Sequence, residues 1–198
     1  MKKVKPLKTI AAILLVSVIA TYGCILNPDT GDEGRDPVVI DWPDLSTPDD
    51  VVETIRLVYK HFNTAPTDEL MTYYADILYD DPGQEHDYVW NMQPDDYTKY
   101  GELMLREEDI AGTEYIIRQS SALYLFISAG TWDPAPDVCA ECLQTTRTYT
   151  ITTTLDHNGE IETLSGLSMN INLVIGPNEQ KPGTWVIYVA SDLPGTES

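Results

Sequence analysis

Residues 145–175, TTRTYTITTTLDHNGEIETLSGLSMNINLVI, decide the fold class. Up to Leu155, large apolar residues alternate with threonines, which predicts a strand with one buried face. Asn158-Gly159, within Asp156–Gly159, then supplies the positive φ angles of a two-residue hairpin turn. The stretch therefore predicts a long antiparallel hairpin. Its return strand places one apolar set on a single face: Leu167, Met169, Ile171, Leu173 and Ile175.

Alternation of apolar residues also predicts strands on both sides of this hairpin. Trp185–Val189 follows the breaker Pro182-Gly183 and reads as the last strand. Upstream, alternate residues from Thr113 to Gly130 are apolar, which predicts one long bent strand or two short ones. These residues are Tyr115, Ile117, Leu123, Leu125 and Ile127.

The region before residue 112 carries helix signals instead. Thr47 is suited to an N-cap, Pro48 to the first helical position, and Asp49 and Asp50 to the positive end. Further helices are expected from Thr67 and from Pro94 to near Glu107, with a short strand at Tyr88-Val89-Trp90. Helices followed by antiparallel strands indicate an α+β fold.

This order resembles the nuclear transport factor two-like superfamily, the cystatin-like cone that includes SnoaL-like polyketide cyclases and ketosteroid isomerases. Three segments resemble the family: the Thr47–Val52 helix start with Tyr59, the Leu70–Leu78 segment, and Gly183–Tyr188 followed by Asp192. The resemblance implies helices on a curved sheet over residues 47–194. It also implies a cone that often holds a small apolar ligand, with an acid or base inside the enzymatic members. The Trp132–Leu143 insertion departs from a minimal member.

The N-terminus carries an export signal. Lys2, Lys3, Lys5 and Lys8 precede an apolar run from Ile10 to Ala20, which is too short for a spanning helix. Gly23-Cys24 then resembles the lipobox of bacterial lipoproteins. That resemblance implies removal of residues 1–23, lipid on Cys24 and a lipid-anchored place in the cell envelope. An uncleaved signal anchor is the alternative.

Residues 24–46 are rich in Asp, Pro and Gly and predict a flexible tether, although Val38–Trp42 could also pack on the domain. Residues 195–198 form a tail. The 32 acidic and 12 basic residues give a net charge of −20, which disfavours nucleic-acid binding. The expected partners are the membrane, through the lipid, and a small apolar ligand or an envelope protein.

Cys139 and Cys142 lie three residues apart in an exported chain, which favours a disulfide. A zinc site needs more ligands than this pair supplies. A redox motif is expected at a helix start after a strand, whereas Pro134 and Pro136 precede this pair. No metal or cofactor is predicted.

No catalytic motif is visible. Asp76, His86 and Asp192 are titratable candidates, but a helix end, a polar loop and a chain-end cap explain them equally well. If the cone holds a pocket, its candidate residues are Tyr74, Trp90, Arg118, Tyr124 and Tyr188; the alternative is that the many tyrosines form core and rim in place of phenylalanine. A binding module is the favoured function, and the alternatives are an isomerase, cyclase or dehydratase with a buried carboxylate, or a structural lipoprotein. An apolar pocket would favour binding, a carboxylate facing it would favour the enzyme, and a filled cone the structural protein.

Overall fold

The computed structural model describes residues 38–81, 87–92, 103–157 and 160–193. Within them the helices are α1 (Pro48–Lys60), α2 (Thr67–Asp76) and α3 (Arg106–Gln119). The strands are β1 (Val89–Asn91), β2 (Leu103–Leu105), β3 (Ser120–Ile127), β4 (Asp133–Pro134), β5 (Leu143–His157), β6 (Glu160–Pro177) and β7 (Trp185–Leu193). No helix in these ranges is long and apolar enough to cross a membrane.

All described strands join one sheet in the order β2-β1-β7-β6-β5-β3, with β4 paired to β5. The pairs are antiparallel except β1 with β7, which is parallel. The helices pack on one face of this sheet, and the main core lies between the two layers. The expected α+β architecture is confirmed.

The central hairpin is the longest feature of the sheet. β5 and β6 pair from Leu143 opposite Ile175 to His157 opposite Glu160, which leaves a two-residue connection. Asn158-Gly159 itself lies outside the described residues. Register shifts interrupt β3, β5 and β6 between Ser120 and Ala122, Ile151 and Thr153, and Val174 and Ile175. Because bulges bend strands and increase their twist, these shifts curve the sheet around the helices.

The segment from Thr113 to Gly130 differs from its prediction. Residues through Gln119 belong to α3, and only Ser120–Ile127 form a strand. The buried face of α3 is Asp109, Thr113 and Ile117 at four-residue spacing. Two of those three are polar, so their helical period was invisible to a search for apolar periodicity. The prediction of a helix that ends near Glu107 is also wrong for residues 103–107, because β2 ends and α3 begins there. The rest of that predicted helix, residues 93–102, lies outside the described ranges.

The start of α1 confirms its sequence signals. The Thr47 hydroxyl accepts from the Asp50 amide, and the Asp50 carboxylate accepts from the Thr47 amide at 2.8 Å. This reciprocal arrangement is a capping box. The packed structure starts earlier than residue 47, since Leu45 is buried and its carbonyl accepts from the Trp185 amide. The packed part of the structure therefore includes Leu45, which lies within the range 24–46 predicted as a tether.

The opposite face of the sheet carries a second, smaller cluster of Ala135, Cys142 and Val174. Cys139 and Cys142 form the expected disulfide. A Cβ built on Gly176 would lie 2.6 Å from the Cys142 sulfur and 2.9 Å from a Tyr188 ring carbon. Glycine is therefore required at 176 because the disulfide rests directly on the β6 backbone.

Candidate ligand cavity

A cavity of about 80 Å³ lies between the helices and the sheet. That volume is several times the ~10–15 Å³ that holds one water, and smaller than the ~300–1,000 Å³ of sites for drug-sized ligands. The described lining is aliphatic and aromatic, without a carboxylate or a cation. It consists of Ile55, Tyr59, Tyr74, Leu78, Tyr88, Trp90, Leu125, Ile127, Tyr149, Ile151, Ile171, Leu173, Ile187 and Ala190.

Behind this lining, α3 buries a carboxylate. Asp109 is 4% exposed. The Tyr88 hydroxyl donates to its Oδ2 at 2.7 Å, and the Tyr74 hydroxyl lies 3.2 Å from both of its oxygens. Both tyrosines also line the cavity. The carboxylate is thus separated from the cavity by the tyrosines that bind it.

The buried position shifts the acidity of the whole group. Burial raises the pKa of Asp109 to about 6, although the hydrogen bonds from Tyr88 and Tyr74 oppose that rise. Burial and the neighbouring Asp109 charge raise the pKa of Tyr74 and of Tyr88 well above the ordinary value. Burial raises the pKa of Tyr59 to about 12. All three phenols stay protonated at neutral pH, while Asp109 is largely ionised.

Two of the half-buried lining residues carry polar atoms. Trp90 is half-buried on β1, and its indole N–H is shielded from solvent with no hydrogen-bond partner among the described residues. The Tyr149 hydroxyl lies 3.4 Å from an Asp192 carboxylate oxygen. A shielded donor without an acceptor is uncommon in folded proteins, since it sacrifices a hydrogen bond to water. Trp90 is therefore the polar feature of the lining that a ligand could satisfy.

The structure brings two of the five predicted pocket residues together. Tyr74 and Trp90 line the cavity. Arg118 lies near the end of α3 rather than in a strand, and binds Glu114 and Asp68 at the surface. Tyr124 is 61% exposed on the outer face of β3, an edge strand. Both assignments are wrong. Arg118 was assigned to a strand but lies in a helix, and Tyr124 was assigned to the inner face of its strand but lies on the outer face.

Tyr188, the fifth predicted residue, also lies away from the cavity. Its ring stacks on Tyr79 at 4.2 Å and packs against the second cluster. Its hydroxyl donates to the Pro177 carbonyl at 2.8 Å. Tyr188 is the extra residue at the register shift between β6 and β7, so Ile187 and Ala190 face the cavity while Tyr188 and Val189 pack against the second cluster.

The titratable candidates have separate positions. Asp76 ends α2, as its plainer interpretation predicts. His86 lies outside the described residues. Asp192 sits in β7 beside Tyr149, and its charge contributes to the raised pKa of Asp109. Asp109 itself was missed; the signal available was its four-residue spacing with Thr113 and Ile117.

A second charged side chain is buried near the start of α1. Arg147 on β5 is 3% exposed, and its guanidinium donates to Asp49 Oδ1 at 2.9 Å. The Trp132 indole donates to the same oxygen at 3.2 Å, and its ring lies 5.0 Å from the guanidinium carbon. This group ties the sheet to the first turn of α1. No group of three or more metal-ligating side chains occurs among the described residues.

Several solved structures show a remote similarity to this chain. The chain is similar in structure to a member of the NTF2-like family from Streptomyces avermitilis, at 16% identity and a TM-score of 0.45, covering 76% of this chain and 99% of that one. It is similar to ActVI-ORFA from Streptomyces coelicolor, at 11% identity and a TM-score of 0.44 over 72% and 92% of the chains. A hexachlorocyclohexane dehydrochlorinase, LinA type 2, shows 9% identity and a TM-score of 0.45 over 76% and 88%. No protein-family model and no curated protein matches the sequence.

Proposed function

We propose that this chain is a membrane-anchored lipoprotein of the cell envelope whose folded domain binds a small, mostly apolar ligand in the cavity. The observation that carries the binding function is the lining. It is aliphatic and aromatic throughout the described residues, and the nearest buried carboxylate is engaged by Tyr74 and Tyr88. Apolar pockets with a few polar groups are the usual form of small-ligand sites.

The size and polarity of the cavity restrict the ligand further. A volume of about 80 Å³ suits a small molecule or the headgroup of a larger one. Half-buried Trp90 provides a free donor, so a ligand with one acceptor gains a hydrogen bond that a pure hydrocarbon lacks. A purely structural lipoprotein would have no use for an unfilled cone, which makes that alternative less suitable.

Calorimetric titration with benzene and with cyclohexanone tests the binding function. Both probes should bind the wild type, and cyclohexanone should bind more tightly because its carbonyl can accept from Trp90. Ala190→Leu fills the cavity from β7 and should abolish binding of both. Ala135→Leu is the matched control, since Ala135 is equally buried but belongs to the second cluster. Unchanged binding in Ala190→Leu, or no binding by the wild type, would contradict the proposal.

The lipid anchor rests on the basic segment, the apolar run and Gly23-Cys24. Bacteria expressing the chain and fed labelled fatty acid should yield labelled wild-type protein and unlabelled Cys24→Ser protein. Cys142→Ser is the control, because a disulfide cysteine has no role in acylation. Label in both Cys24→Ser and the wild type would refute the anchor.

A second candidate is an isomerase, cyclase or dehydratase that uses Asp109 as a base. One observation favours it: burial raises the pKa of Asp109 to about 6, within the range suited to proton transfer near neutral pH. Such an enzyme should exchange the α-protons of cyclohexanone in D₂O, and Asp109→Asn should stop the exchange. An exchange rate equal to that of buffer alone would remove this candidate.

A further inference from the structure

The aromatic part of the lining has a composition of its own. Four tyrosines and one tryptophan from α1, α2, β5, β1 and the residue before it contribute rings to the cavity: Tyr59, Tyr74, Tyr88, Trp90 and Tyr149. Aromatic faces carry negative potential, and enclosures of several rings hold quaternary ammonium groups. Benzene-like ligands need no such number of electron-rich phenols, since aliphatic side chains bury them equally well.

Two carboxylates lie directly against the tyrosines of this enclosure. Asp109 is buried directly behind Tyr74 and Tyr88, and Asp192 is next to Tyr149. Asp109 forms no salt bridge within the described ranges. A buried carboxylate without a counter-ion creates a strong negative potential, because the surrounding protein screens it far less than water does. Phenols that donate to an anion also become more electron-rich, which strengthens their attraction for a cation.

The nearest arginines do not compete for this potential. Arg147 is neutralised by Asp49. Arg56 donates to the Ile127 carbonyl and to Glu53, and Arg106 to the carbonyls of Ala75 and Leu78. None of the three lines the cavity.

We propose that the cavity selects a small organic cation with methylated nitrogen, such as a trimethylammonium headgroup, which Tyr74, Tyr88 and Trp90 enclose while Asp109 supplies the counter-charge behind them. This inference rests on the proposed ligand-binding function and names its ligand class. The methyl groups satisfy the apolar lining, and the positive charge satisfies the carboxylate. The Tyr74 and Tyr88 hydroxyls already donate to Asp109, and an acceptor elsewhere in the ligand, such as the hydroxyl of choline, can accept from the Trp90 indole N–H.

Two isosteric probes, choline and 3,3-dimethylbutan-1-ol, test the proposal. They differ only in replacing the quaternary nitrogen by carbon, so size and hydroxyl group are matched. In calorimetric titrations of the full folded domain at pH 7.5, choline should bind at least about tenfold more tightly than the alcohol. Equal or weaker binding of choline, or binding of neither probe, would overturn the cation assignment. The proposed function would fail only if benzene and cyclohexanone also did not bind.

Asp109→Asn should reduce the preference for choline to less than about threefold, because it removes the counter-charge and keeps the shape. Asp68→Asn is the matched control, since Asp68 is exposed on α2 and remote from the lining. An undiminished preference in Asp109→Asn would overturn the role of Asp109. The isostere comparison on wild-type protein decides the ligand class even if that variant does not fold.

Discussion

Asp109 and Arg147 are buried to nearly the same extent, with 4% and 3% exposure, yet the protein treats the two charges differently. Arg147 has a counter-ion, Asp49, and a tryptophan ring over its guanidinium. Asp109 has neutral tyrosine hydroxyls and no ion pair in the described part of the chain. The space beside them differs as well, because Gly130 packs closely against Arg147 whereas a cavity lies beyond the tyrosines of Asp109.

Close packing at Arg147 is visible at Gly130. A Cβ added there would lie 2.7 Å from the Thr145 hydroxyl and 3.2 Å from the Arg147 side chain. Arg147 therefore connects layers, whereas Asp109 keeps an unbalanced charge near an unfilled space. An unbalanced buried charge is unfavourable for folding, which is typical of groups that serve binding or catalysis.

The largest expected effect breaks the Arg147 pair. Asp49→Ala leaves a buried guanidinium without its counter-ion and should lower the free energy of unfolding by about 3 kcal/mol, near the lower bound for buried pairs since Asp49 is exposed. Asp68→Ala is closely matched: Asp68 is also the second residue of its helix and binds an arginine Nη2, at 2.8 Å. Because Arg118 is half-exposed, that loss should stay below about 1 kcal/mol. Equal losses in urea denaturation would remove the distinction between the pairs.

The next effect concerns the pH dependence of Asp109. Its pKa is about 6 in the folded protein and about 3.9 in an unfolded chain, so the folded state binds the proton more tightly. The stability from this group is therefore fully present below about pH 4 and is lost as the pH rises through 6. The unfolding free energy of the wild type minus that of Asp109→Asn should fall by about 2–3 kcal/mol between pH 4 and 7. A difference independent of pH would show that Asp109 is not buried as an uncompensated acid.

The smallest effect separates the two hydroxyls on Asp109. Tyr88→Phe removes the 2.7 Å hydrogen bond and should destabilise the protein by about 1.5 kcal/mol at pH 7.5, where the acceptor is charged. Tyr74→Phe removes a longer, divided bond and should have a smaller effect. Thermal unfolding of both variants at pH 7.5 and pH 4.5 measures these losses of stability. At pH 4.5 Asp109 is protonated, so the two losses should differ less than at pH 7.5. The Tyr188 hydroxyl donates to a backbone carbonyl, so the loss of stability in Tyr188→Phe should be the same at both pH values.

The sequence predicted the parts of the fold that depend on apolar periodicity and turn chemistry. The hairpin of β5 and β6, the capped start of α1 and the last strand follow directly from local signals. α3 could not be recognised in this way, since its buried face holds Asp109 and Thr113. A polar residue such as Asp109 is buried only because of its tertiary partners. These are Tyr74 and Tyr88, which lie 35 and 21 residues away in sequence.

The candidate site was predictable only where side-chain type and strand parity agreed. Tyr74 and Trp90 combine a large ring with a correctly placed element, and both line the cavity. The prediction for Tyr188 is wrong because Tyr188 is the extra residue of a register shift in β7, and apolar periodicity along the strand gives no sign of that shift. The role proposed for Asp109 depends on its burial without a salt bridge in the described ranges, which no single-residue property of the sequence expresses.

Crystals of the folded domain pressurised with xenon test the central claim, that the cone encloses an apolar binding space. Xenon enters dry apolar cavities and leaves filled cores and polar clefts unoccupied. We expect a xenon site in contact with Ile151, Leu173 and Ile187 in the wild type, and no xenon at that position in Ala190→Leu. Absence of xenon from that position in the wild type, with the side chains closed over it, would contradict the claim.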